Sequence, residues 1–89
     1  MSRGAVLVIE DEETFGRNVA TYLQRAGYEC VHAPDAERGL AQLETFRPDV
    51  VILRMRRTHQ IDYSVVTAMT AAVVDFTQAG GRFIICGLT

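Results

Sequence analysis

Two charged groups in this sequence have the types and spacing to do chemistry, and each follows directly on an apolar run. Glu10-Asp11-Glu12-Glu13 comes after residues 5–9, AVLVI, and Arg54-Met55-Arg56-Arg57 comes after residues 50–53, VVIL. Hard carboxylates at a strand end can hold a divalent cation such as magnesium. A guanidinium stays protonated at any physiological pH, so it is neither acid nor nucleophile. It does supply a carboxylate with positive charge and two parallel hydrogen bonds. The expectation is therefore an ion pair of Arg54 with Glu10 and Asp11. Magnesium at those two acids is the weaker alternative, and no resident cofactor is expected.

The remaining candidates are fewer. Arg56, Arg57 and His59 extend the basic cluster, but no aromatic interleaving or helix-turn-helix pattern accompanies them, so the acidic run 10–13 is the expected partner rather than nucleic acid. Ser64 reads as an N-cap or first-turn residue of a helix, with a phosphorylation site as the alternative. His32 and His59 have no partner at ligand spacing and are assigned no role. Cys30 and Cys86 lie in apolar strand-like runs, too few for a zinc set or a disulfide framework, and are expected as buried free thiols. There is no nucleophile–base pair and no glycine-rich phosphate loop. An enzyme is not expected.

Composition sets the outer bounds. The 89 residues suit a single domain, 48% hydrophobic and 22% charged, which argues against disorder. The net charge of −2 does not point to a polyanionic partner. All nine basic residues are arginines, so every lysine-dependent site is excluded. No apolar run approaches a membrane span and the N-terminus lacks a signal-peptide layout, so a cytoplasmic protein without membrane association is expected.

The elements that must position these residues follow from the pattern. Residues 5–9 read as a strand buried on both faces. Glu10 to Glu13 then cap and charge the start of a helix carrying Phe15, Val19, Tyr22, Leu23 and Ala26 at helical spacing, closed by Gly27. Residues 28–32 form a second strand. Pro34 opens a second helix, with Asp35 and Glu37 in its first turn and Ala36, Leu40, Leu43 and Phe46 on its inner face. Pro48 stops it, and residues 49–53 form the third strand. A third helix from about Tyr63 uses Val66, Met69, Val73 and Phe76, ends at Gly80-Gly81, and leads into a fourth strand, residues 82–86. Strands alternating with helices imply a parallel sheet with right-handed crossovers. The expected architecture is α/β: a truncated flavodoxin-like three-layer fold, its four strands in the order 2-1-3-4, with three helices. Function in such sheets collects at the carboxyl ends of the strands, where Glu10 and Arg54 fall.

Residues 1–53 resemble the receiver domain of two-component response regulators. The resemblance rests on Val6-Leu-Val-Ile-Glu10-Asp11-Glu12, Tyr22-Leu23 to Gly27-Tyr28, Ala33 to Leu40, and Pro48-Asp-Val-Val-Ile-Leu53. It implies an acidic magnesium pair at Glu10 and Asp11 and a phosphoacceptor aspartate at the position Arg54 holds. With an arginine there, and no lysine to serve as the family's switch residue, the resemblance implies a receiver without phosphoryl chemistry, acting through protein partners, with a receiver phosphorylated on some other acceptor as the remaining alternative. Residues 54–89 are similar instead to the STAS domain of anti-sigma-factor antagonists and sulfate-transporter tails. Here the matching residues are Val51-Ile-Leu-Arg-Met-Arg56, Ile61-Asp62-Tyr63-Ser64 and Gly80-Gly81-Arg82-Phe-Ile-Ile-Cys-Gly87. That resemblance implies a regulatory phosphosite at Ser64. The seam between the two resemblances falls in the third strand, as in a recombined or chimeric gene. The apolar fourth strand, Arg82 to Cys86, is expected at a sheet edge with one side unpaired, and a homodimer through that edge is the expected assembly.

Overall fold

The computed structural model describes residues 3–54 and 63–85, with the side chains of 63–69 and 85 left undescribed. Along the chain come β1 (Ala5–Glu10), α1 (Glu13–Arg25), β2 (Glu29–Ala33), α2 (Ala36–Thr45), β3 (Val50–Arg54), α3 (Tyr63–Gln78) and β4 (Arg82–Ile85). All strand pairs are parallel and the order is β2-β1-β3-β4, the order expected from the sequence. β1 and β3 each run one residue further than the sequence suggested, to Glu10 and Arg54, so both charged residues belong to strands.

The alternation of side chains along each strand divides the core in two. On one face Leu7, Ile9, Ala33 and Val51 are buried, with Leu43 of α2, Phe46 at its C-cap and Phe76 of α3 packed on them. On the other, Val6, Val8 and Cys30 meet Ala20, Val19 and Leu23 of α1. The layers are thus α1, sheet, and α2 with α3. Complete burial of Leu7, Ile9 and Val51 contributes about 1.5–3 kcal/mol each.

α1 and α3 end in the same way. Gly27 and Gly80 take positive φ, 100° and 95°, and the next amide bonds back across the last turn, Tyr28 to the Leu23 carbonyl and Gly81 to the Phe76 carbonyl, both at 3.0 Å. The expected closure by Gly27 and Gly80-Gly81 is what the backbone does. α2 begins differently from expectation. Pro34 lies outside the helix, and Asp35 is its N-cap, accepting from the Arg38 amide at 2.8 Å.

Two expectations for α1 need correction. Glu12 stands at the N-cap but makes no side-chain capping bond, so the acids there act only through the helix dipole, with Glu13 in the first turn. Phe15 and Tyr22 are 42% and 73% exposed rather than core. The buried positions are Gly16 and Ala20, small residues that bring the helix backbone close to the sheet and push the aromatic positions to its flank.

Candidate functional site

The site lies where the two central strands end. Glu10 and Arg54 are register partners of β1 and β3. The alternation that places Val6 and Val8 toward α1 also turns Glu10 that way, and it does the same for Arg54 after Val50 and Ile52. Glu10 is fully buried, whereas the Arg54 side chain is 25% exposed. Arg54 Nη1 donates to Glu10 Oε1 in a close charge-assisted pair. The guanidinium also lies over the Phe15 ring, 4.3 Å from its centroid, which gives the exposed aromatic a function as a cation–π platform. The pairing expected between Arg54 and the acids is present at Glu10. Asp11 follows β1 directly and is half-buried.

A second residue holds this corner from behind. His32, at the penultimate position of β2, has Nε2 at 2.9 Å from the Glu10 carbonyl oxygen. A carbonyl only accepts, so Nε2 carries the proton and donates. The ring fills the notch left by Gly16, where a Cβ would come within 2.2 Å of Nε2. His32 therefore locks β1, β2 and α1 together under Glu10. Sequence reasoning gave it no role. The signal available was a polar residue near a strand end together with a glycine in the facing helix.

The donor set suits a divalent cation poorly. Glu10 Oε1 is taken by the guanidinium, and Oε2 is buried with no hydrogen-bond partner among the described residues. Among the described residues no group of three or more His, Cys, Asp or Glu is placed to hold a metal. A hard cation would have to share the corner with the Arg54 guanidinium.

Cys30 is free and buried on β2, and burial pushes its thiol pKa up. Met55, Arg56, Arg57, His59 and Cys86 lie outside the described residues. Ser64 is the second residue of α3, with its side chain outside the description. No described helix is long and apolar enough to cross a membrane.

The sheet order and the three layers define a flavodoxin-like fold of the receiver type. The chain superposes on the receiver domain of the hybrid histidine kinase CckA with a TM-score of 0.63 and 22% identity, covering 97% of this chain and 88% of that one. For the chemotaxis protein CheY4 of Vibrio cholerae the TM-score is 0.65 at 21% identity, covering 100% and 89%. In sequence, 48 residues are 38% identical to the alkaline phosphatase synthesis transcriptional regulatory protein PhoP of Bacillus subtilis. That match takes in 54% of this chain and only 20% of PhoP's length. No protein-family model matches the chain.

Proposed function

We propose that the chain is a receiver-type module of two-component signalling whose phosphoacceptor position is held by Arg54, and that it works through protein–protein contact without phosphoryl transfer or other enzymatic activity. The observation that carries this reading is the Glu10–Arg54 pair at matched strand ends. The guanidinium supplies internally the positive charge that a cation would otherwise bring to Glu10, and a guanidinium is no phosphoryl acceptor. The sequence similarity to part of a transcriptional regulatory protein supports a module within a signalling chain.

Acetyl phosphate with magnesium tests this directly. The intact mass should stay unchanged after incubation, whereas a labile adduct of ~80 Da on a carboxylate would overturn the reading.

A second reading comes from the STAS-like segment 54–89, which would make the chain a recombined domain switched by phosphorylation of Ser64. The position of Ser64 in the first turn of α3 supports it, because a phosphate there is favoured by the helix dipole. Labelling by a cognate kinase that is lost in Ser64→Ala would establish it.

The module is further proposed to be a single unit over residues 1–89 that pairs with a second copy through the edge strand, residues 82–86. Among the described residues β4 bonds to β3 alone, which leaves one row of backbone groups for such pairing. Sedimentation showing only monomer at micromolar concentration would sink the dimer.

A further inference from the structure

On the face away from Glu10, α2 and α3 are packed side by side. Between them runs an open groove of about 330 Å³ with Leu40 and Leu43 on one wall and Ala72 and Phe76 on the other. It continues past Leu43 and Phe76 into a second recess of about 310 Å³ that ends at Arg47 and Gly80. Two acidic residues line the first part, Glu44 from α2 and Asp75 from α3. Both residues are exposed, and among the described residues neither has an ion-pair partner.

The sequence of α3 makes this placement informative. Asp75 is the one charged residue among its sixteen, in a helix otherwise of apolar and small polar residues. A lone charge kept for solubility would serve best on the outward side, where Val74 is instead 46% exposed. Asp75 stands at the groove, matched by Glu44 from the neighbouring helix.

We infer that the α2–α3 groove is a docking site for a basic amphipathic helix of a partner protein. The partner's apolar side chains would lie on Leu40, Leu43 and Phe76, and its flanking Arg or Lys would meet Glu44 and Asp75. Charge complementarity selects this occupant, because the part of the groove beside Glu44 and Asp75 is apolar with two exposed acids lining it, which disfavours acidic helices and favours cationic ones. From Leu40 to Glu44 the groove follows about one turn of α2, ~6 Å, and it runs on to Arg47 beyond the helix end. That is room for two anchor side chains spaced one turn apart. The site is remote from Arg54 and does not depend on how the Glu10 corner is read.

The test uses a fluorescent synthetic helix of about 14 residues, with leucines at i and i+4 and arginines flanking them, titrated into the protein at low salt. Amide shifts should move along the groove walls of α2 and α3. Glu44→Gln combined with Asp75→Asn, both surface changes that keep the fold, should weaken binding roughly three- to tenfold. A peptide with glutamates in place of the arginines should bind the parent at least that much more weakly.

Any of several results would overturn the inference. These are no shifts at about 1 mM peptide, shifts confined to the α1 face, equal binding by the double variant, or equal binding by the glutamate peptide. Self-association of the parent that the double variant abolishes would assign the groove to a second copy instead, and full competition by a small hydrophobic amine would assign it to a small cation.

Discussion

Glu10 and Arg54 stand opposite each other in the register of the two central strands, and the wholly buried carboxylate has its charge answered by the partly exposed guanidinium. Removing the cation alone leaves a buried, unpaired carboxylate. Arg54→Met should therefore destabilise the protein by about 2–4 kcal/mol in urea titration, less than for a wholly buried pair because Arg54 reaches solvent. Glu10→Gln in the same background should recover much of the loss, and the coupling is read from the double-mutant cycle. A single variant within about 0.5 kcal/mol of the parent would show that the pair contributes little.

Arg54→Asp converts the corner from an ion pair to three acids, Glu10, Asp11 and Asp at 54. Such a set is unstable through mutual repulsion until a cation joins it. Magnesium should raise the melting temperature of this variant and leave the parent unchanged. A titration in which the variant gains nothing over the parent would mean that the three carboxyl groups do not converge.

Gly16→Ala would drive a methyl group into His32, whose ring already fills that space. The expected cost is about 1–3 kcal/mol, since a packed corner must move to admit it. In a His32→Ala background the same change should cost much less, because the ring it strikes is gone. Equal costs in both backgrounds would show that the clash is with the backbone and not the imidazole.

Most of the architecture is legible in the sequence, because β1 and β3 are unbroken apolar runs and Gly27 and Gly80 mark two helix ends with no competing reading. The strand order follows once the connections are right-handed. The failures are local and share a cause. Helical spacing assigned Phe15 and Tyr22 to the core, but Gly16 and Ala20 allow the closer approach and take the buried face, leaving Phe15 to meet Arg54 instead. The role of His32 depends on that same approach, which no single-residue property encodes. The pairing of Glu10 with Arg54 was legible because both follow apolar runs of similar length that the fold sets side by side.

Cys30 gives a pH dependence with a definite sign. Burial raises its pKa above the ordinary value of 9.0, so the folded state holds the thiol proton more tightly than the unfolded chain does. The resulting stability is fully present below pH 9.0 and is lost as pH rises through the folded-state value. Urea midpoints should be flat near neutrality and fall above that pH, and Cys30→Ala should remove part of the fall. In a Cys86→Ser background, thiol reagents should label Cys30 at a rate set by opening of the fold.

Among the described residues β4 is held by one strand and one helix, whereas β1 lies between two strands with helices on both sides. Among the described residues nothing lies over the α1 side of β4, where Ile84 is 49% exposed. The molecule should therefore open from one end. Amides of Phe83 and Ile84 should exchange with solvent deuterium by sub-global events, well before those of Leu7 and Val8, which wait for complete unfolding. A hierarchy of this kind would let the outer strand respond to a neighbour while the strands carrying Glu10 and Arg54 stay in register.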